Sequence, residues 1–361
     1  MKTFLSGLLI LVIGAALYGK FCEKVFGPDD RKTPAFTKQD GVDYIPMKGW
    51  KNSLINLLNI AGTGPIFGPI QGILFGPLAF ITIPIGNIIG GAMHDYFSGM
   101  ICLRDGGSQM SETVRRYSNR CVFSVYQVFC SVLLLLVGAV FIYTPGDIVA
   151  TQVFGFDGNI AMVWAAAAMG VYNLGLQAAD ANLYSSTVGI VCRDILGSVG
   201  GVVALLGIII LPITSGDTAL RGLRLAIAES LHLDQSNGKK RMALSGAIFA
   251  LVAMILVFAK LSPDGFKILW RYFAWSNQTL SLFAFLVISV WMFENGKQRF
   301  VWMPLIPGTF YAFATVTYIM NAKIGFNLPW TAAYIIGGTA AAVYLVVILW
   351  YGNRRAAHRH L

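Results

Sequence analysis

Apolar runs separated by short polar, basic loops set the pattern of this chain. Ten runs approach or exceed the roughly 20 apolar residues that a helix needs to cross a bilayer: Thr3–Gly19, Trp50–Phe75, Pro77–Leu103, Arg120–Tyr143, Asn159–Gln177, Thr187–Leu211, Met242–Lys260, Tyr272–Phe293, Met303–Met320 and Trp330–Trp350. An eleventh segment, Pro212–Leu231, is too polar for an ordinary span and too apolar for an ordinary loop. The pattern predicts an all-α polytopic membrane protein. Met1–Tyr18 has the apolar core of a signal peptide, but no small-residue cleavage site precedes Lys20, so a retained helix is expected.

One apolar run cannot stay a straight helix. Ala61–Pro77 holds five glycines and three prolines in 17 residues, with Gly-Pro pairs at 64–65, 68–69 and 76–77. Proline removes a backbone donor, and the residue before it is driven out of the α region. Irregular backbone at membrane depth must be buried in protein or line a wet cavity, which is how transporters build substrate sites. Gly64, Gly68, Gly72 and Gly76 recur every four residues, a spacing that suits close helix packing. Gly64-Pro65 fits a helix start whose free N–H groups favour an anion, and Thr63 adds a hydroxyl. The alternative is a kinked packing helix with no ligand.

Charge sets the expected topology. Of 27 Lys and Arg, seven lie in 20–51, four in 104–120, five in 221–241, two in 294–302 and three after Tyr351. These 21 fall on one side if Pro212–Leu231 is a crossing. The positive-inside bias then predicts about 11 crossings, with the N-terminus outside and the C-terminus cytoplasmic. The Lys260–Arg271 cations fit this least well. The net charge of +10 is therefore a loop property and implies no nucleic acid.

With the first helix set aside, the first and sixth of the remaining ten crossings are irregular, at Gly62–Pro65 and Ser215–Thr218, and enter from opposite sides. That is the pointer to a five-plus-five inverted-repeat, LeuT-like core with discontinuous first and sixth helices. The expected division is a peripheral helix (1–19), a cytoplasmic loop (20–49), two five-helix repeats (50–211 and 212–352) and a basic cytoplasmic tail (353–361). Arg193–Asp194 and Gly197–Gly201 leave a second reading open, in which 187–211 is a surface helix followed by half of the broken sixth helix.

Four places carry candidate chemistry. Gly62, Thr63, Gly64 and Pro65 form the first break, and Ser215, Gly216 and Asp217 the second. An aspartate at membrane depth is expensive and a functional candidate; Asp217 can bind an amine or cation, carry a proton, or simply cap the following helix. His94 and Asp95 follow a glycine-rich stretch with Asn87 and suit a proton relay, a gate or a structural network. Asn277 and Gln278 are consecutive amides inside a span, able to line a path or to bond across helices. Tyr172-Asn173 is weaker and reads as packing. The five cysteines are scattered and form neither a disulfide framework nor a zinc site, and no GxSxG, HExxH or P-loop is present. The expectation is no enzyme, no cofactor, no metal, and a coupling ion that is H+ or Na+.

The strings AGTGPIFGPIQG, GGAMHDY, LPITSGDTALR and FAWSNQTLS, in this order from about Trp50 to Phe285, resemble the signature segments of the carbon starvation protein A (CstA) family. The resemblance implies a secondary transporter of the bacterial cytoplasmic membrane, in the amino acid–polyamine–organocation superfamily. It further implies proton-coupled uptake of peptides or pyruvate by alternating access. Carried over by motif, it points to Gly62, Thr63, Gly64, Pro65, His94, Asp95, Ser215, Asp217, Asn277 and Gln278. Well-known members are about twice as long. The partners expected are a small-molecule substrate and the lipid bilayer, with the oligomeric state left open. The alternatives are a sodium-coupled symporter of amino acids or related nutrients, and a channel or membrane sensor that does not accumulate its ligand.

Overall fold

The computed structural model describes residues 2–40, 44–60, 64, 68, 73–148, 181–231, 233, 237–262 and 264–359. In chain order the helices are α1 (Lys2–Phe26), α2 (Pro34–Thr37), α3 (Gly49–Ile60), α4 (Ala79–Gly86), α5 (Met93–Arg104), α6 (Met110–Tyr117), α7 (Arg120–Ile148), α8 (Ala181–Ser230), α9 (Gly238–Leu261), α10 (Gly265–Glu294), α11 (Trp302–Asn321) and α12 (Trp330–Arg359). No strand occurs among the described residues. Seven helices there are long and apolar enough to cross a membrane: Leu5–Phe26, Gly76–Arg104, Arg120–Ile148, Gly238–Leu261, Gly265–Glu294, Trp302–Asn321 and Trp330–His358. Each coincides with a run expected from the sequence. The predicted span Asn159–Gln177, with Tyr172-Asn173, lies outside the described residues.

The chain divides into two compact units: Met1–Met47 with Gly72–Val128 and Asn277–Leu361, and Lys48–Gln71 with Phe129–Ser276. Helices α7 and α10 contribute to both.

In the first unit α1 lies along α4 and α5. It comes so close that a Cβ on Gly7 would meet the Phe80 carbonyl oxygen at 2.7 Å. Farther along, Phe26 stacks on Trp291 at 4.7 Å with the rings 4° from parallel, and Phe97 meets both edge-on. The Arg104 guanidinium sits 4.5 Å over the Phe26 ring and donates to the Gly27 carbonyl at 2.7 Å. Such rings bury large apolar area and add about 0.5–1.5 kcal/mol per well-placed pair.

Basic groups gather at that same end. Arg116 pairs with Asp105 at 2.8 Å; Arg355 pairs with Glu294 at 2.7 Å and donates to the Arg116 carbonyl at 2.9 Å. The basic segments 104–120, 294–302, the one after Tyr351 and the part of 20–51 that belongs to this unit therefore meet at one of its ends. The short helix α6 lies there with Val114 and Tyr117 buried and Arg115 and Arg116 exposed. Burial pushes the Asp105 carboxyl above its ordinary range, against the pull of the Arg116 charge.

In the second unit α7 and α8 cross where small residues permit it. A Cβ on Gly138 would meet Leu220 Cδ2 at 2.6 Å, and one on Gly216 would meet Phe141 Cβ at 3.2 Å. Lipid-soluble helices associate through such close contacts because no hydrophobic gradient drives them together. Aromatic side chains tie α7 to α10: Tyr143 stacks on Phe266 at 4.4 Å, and Phe141 meets Phe273 edge-on at 6.1 Å. Asn237 caps α9, its Oδ1 accepting from the Lys239 and Lys240 amides.

The break expected at Ser215–Thr218 is absent. Helix α8 runs through it, and the separate crossings expected at 187–211 and 212–231 merge into one helix with a kink at Gly197 (φ 70°, ψ −178°). Pro212 lacks only the N–H for the Ile208 carbonyl, and no later residue in α8 removes a donor, so the hydrogen-bond ladder continues through Ser215-Gly216-Asp217-Thr218. At Gly197 the backbone takes a conformation essentially reserved for glycine. The only kink in α8 is thus at Gly197, some 18 residues upstream of the expected break.

The first break is described only in part. Gly64 and Gly68 are helical, and residues 61–63, 65–67 and 69–72 lie outside the described residues. At the third Gly-Pro pair the chain does bend: Ile73–Leu78 is a 3-10 turn, and Gly76 has φ 69°. Among the described residues, would-be Cβ atoms on Gly64, Gly68 and Gly76 meet nothing within 4 Å. Gly76 serves the backbone bend.

Candidate functional site

The Gly76–Arg104 span is irregular in its middle. Between α4 and α5, Asn87–Ala92 (NIIGGA) forms a π-helical turn. Pro84, just upstream, cannot donate to the Phe80 carbonyl, and Gly90 and Gly91 place little side-chain bulk in the widened turn. The Asn87 N–H is shared between the Ile83 and Pro84 carbonyls, and the Met93 N–H bonds the Gly90 carbonyl. Inserted π turns re-aim the residues C-terminal to them and are frequent at functional sites.

His94-Asp95 comes directly after this turn and the single residue Met93. Neighbours on a helix point about 100° apart, yet the Asp95 carboxylate turns back to the imidazole: His94 Nδ1 and Asp95 Oδ1 are 2.9 Å apart. The His94 side chain is 27% exposed and that of Asp95 64%. The imidazole meets Phe285 of α10 edge-on at 5.3 Å, and Ser98 Oγ donates to the His94 carbonyl at 2.5 Å. Phe285 is in turn stacked with Tyr311 of α11 at 6.1 Å. With Nδ1 committed to the carboxylate, Nε2 is the ring position left to exchange a proton. The pair joins one part-buried, ring-clamped imidazole to one exposed carboxylate.

The other expected residues are not gathered here. Gly62, Thr63 and Pro65 lie outside the described residues, and Gly64 is a half-exposed helical residue of the second unit. Ser215 and Gly216 are buried where α8 crosses α7, and Gly216 is accounted for by its approach to Phe141. Asp217 is exposed and lines a cavity of about 190 Å³ with Arg221, Arg224 and Ser245, a charged flank rather than a helix break. Asn277 and Gln278 are exposed on α10 in the first unit, while Ser276 beside them is buried. No group of three or more His, Cys, Asp or Glu able to hold a metal occurs among the described residues.

Two features escaped the sequence reading. The π turn had a signal in Pro84 and the Gly90-Gly91 pair, but residue spacing does not separate a π turn from an ordinary helix. The second is the burial of two ionisable residues, Asp147 and Lys260, 3% and 4% exposed. Its signal was the poor fit of Lys260 to the charge asymmetry: Lys260 is a core residue, not a loop cation.

The family profile for carbon starvation protein CstA matches residues 1–204 and 190–318. An uncharacterized membrane protein of Haemophilus influenzae is 48% identical over 159 residues, 43% of either chain. The peptide transporter CstA of Bacillus subtilis is 37% identical over 114 residues, 31% of this chain and 19% of that protein. That of Campylobacter jejuni is 28% identical over 170 residues, 46% of this chain and 24% of that protein. The chain thus spans less than half the length of each of these relatives. No solved structure matches. With seven membrane-length helices and a profile match over most of its length, this multi-pass membrane protein belongs to the carbon starvation protein CstA family.

Proposed function

We propose that the chain forms, or forms part of, a proton-coupled secondary transporter that imports peptides or a small carboxylate such as pyruvate across the bacterial cytoplasmic membrane. The transport reading comes from the family and from relatives named as peptide transporters. The observation that carries the coupling is the His94–Asp95 pair beside the π turn. A histidine changes charge in the physiological range, and an ionisable pair inside a span is costly unless it is used. Proton coupling is therefore assigned to His94 and Asp95 in preference to Asp217, which stands among arginines on an exposed face. Gly62, Thr63, Gly64 and Pro65, with Asn277 and Gln278, remain the proposed substrate contacts, and alternating access by a five-plus-five core remains the proposed cycle.

The test is uptake into proteoliposomes of labelled di- and tripeptides and of pyruvate, under imposed proton or sodium gradients. The wild type is expected to accumulate substrate above its equilibrium ratio when the lumen is alkaline. His94→Gln and Asp95→Asn are expected to abolish accumulation but keep substrate exchange, and Asp217→Asn to keep both. Accumulation driven by sodium alone, or retained in both His94→Gln and Asp95→Asn, would overturn the coupling assignment. Equilibration without accumulation under any gradient would identify a channel.

A further inference from the structure

Where α8 finishes and α9 begins, the second unit is strongly cationic. A cavity of about 810 Å³ there is lined by Arg224 of α8 and by Lys239, Arg241, Met242 and Ser245 of α9. A narrower cavity of about 190 Å³ shares Arg224 and Ser245 with it and adds Arg221, Asp217, Leu220, Ile248 and Phe249. Four cations and one carboxylate therefore line the two. The side chains of Arg224, Lys239 and Arg241 have no ion pair among the described residues. The first amides of α9 are already taken, because the Asn237 side chain accepts from Lys239 and Lys240. The positive charge on offer is thus carried by side chains.

Polarity changes along the cleft. Arg224 lies about 9 Å of helix rise from the end of α8, and Ser245 about 10 Å from the start of α9. Beyond them the lining turns apolar, with Leu220, Ile248 and Phe249, as α9 runs on through its membrane-length segment. Asp217 lies about 10 Å farther along α8 than Arg224, away from the cationic end. Met242 and Phe249, two turns apart on one face of α9, are 72% and 52% exposed. In a helix that crosses the bilayer such a face meets acyl chains, so both cavities are open to lipid from the side. A ligand that arrives there carries an apolar chain, and three cations without an ion pair call for an anionic head. An inorganic anion would fill the first cavity and leave the apolar one empty. Arginine holds phosphate oxygens through its planar fork, and basic pockets between membrane helices are where anionic head groups bind.

We propose that the α8–α9 cleft binds an anionic phospholipid, its phosphate held by Arg224, Lys239 and Arg241 and an acyl chain lying along Ile248 and Phe249. The site requires neither the His94–Asp95 pair nor a particular transported substrate. Native mass spectrometry of the full chain released from detergent, with dioleoylphosphatidylglycerol or dioleoylphosphatidylcholine added, reads the retained lipid directly. The wild type is expected to hold phosphatidylglycerol about ten-fold or more tightly than phosphatidylcholine at low salt, with the preference shrinking as salt is raised. Arg224→Gln/Lys239→Gln/Arg241→Gln is expected to bring the two lipids level. Should that variant fail to fold, Lys239→Gln/Arg241→Gln changes only two exposed residues at a helix start and is expected to lose most of the preference. Lys20→Gln/Lys48→Gln/Lys51→Gln removes three exposed cations elsewhere and is expected to keep it. Glycerol 3-phosphate and inorganic phosphate bear the charge without the chains and are expected not to displace the lipid. Displacement by either would make this a free-anion site and overturn the lipid assignment. Equal retention of the two lipids by the wild type, a preference undiminished in the folded cleft variants, or one lost equally in the Lys20, Lys48 and Lys51 variant would overturn it as well.

Discussion

At the scale of single residues, environment separates carboxylates that the sequence presents alike. Asp95 is exposed against a part-buried imidazole, Asp147 is buried, and Asp105 is partly buried beside Arg116. For Asp105 a pH dependence follows. Its folded-state pKa is raised, so the folded state holds the proton more tightly than the unfolded chain does. The stability this contributes is fully present below the unfolded value, about 3.9, and is lost as pH rises through the folded value. Asp105→Asn removes the titration together with the ion pair to Arg116. In detergent, thermal midpoints of the wild type are expected to fall from pH 4 to pH 6 relative to Asp105→Asn. Parallel profiles would refute the assignment. Ordinary residue types in an ordinary loop left this out of reach of sequence patterns. The depth of Asp105 depends on packing that no local pattern encodes.

At the scale of elements, glycines that look equivalent in the chain do three different jobs. Gly138 and Gly216 let α7 and α8 approach, Gly76 and Gly197 bend the backbone, and Gly207 does neither. Gly197→Ala forces a side chain into a conformation that costs about 1–3 kcal/mol. Gly207→Ala replaces a helical glycine with open space around it and is expected to be neutral or stabilising by up to about 1 kcal/mol. Denaturant titration followed by circular dichroism compares the two; equal effects would show that the α8 kink needs no glycine. The same distinction explains why residue types alone misplace the bend in α8. Ser-Gly-Asp-Thr is rich in residues that favour turns, but none lacks a donor, and the contact with Phe141 holds the segment helical. Gly197 is visible in the sequence as part of a glycine cluster, but only the φ angle shows that it is the one that bends.

At the scale of the molecule, the charge asymmetry and the contacts agree within the first unit. Four of the five basic segments meet through Arg104, Arg116 and Arg355, on carbonyls and carboxylates at one end. By the positive-inside bias that end is expected on the cytoplasmic side. Single cysteines at Asp30, Glu112, Arg299 and Ala357, all exposed, should react with impermeant maleimide only from the cytoplasmic side of intact cells or oriented vesicles. A cysteine at Lys323, beyond the other end of α11, should react only from outside. Labelling of any of the four from the outside would break the arrangement.

Legible in the residues alone were an all-helical membrane protein, seven of its membrane-length helices, and its family. Each of these follows from local composition: hydrocarbon thickness sets the length of a span, and motif strings carry ancestry. It took the packing to show that His94 and Asp95 are partners through a carboxylate turned back beside a π turn, that Asp217 stands on a charged flank, and that Asp147 and Lys260 are both buried. Those outcomes depend on which faces of distant helices are pressed together. In a bilayer, where nearly every face is apolar, hydrophobic patterning does not select among them.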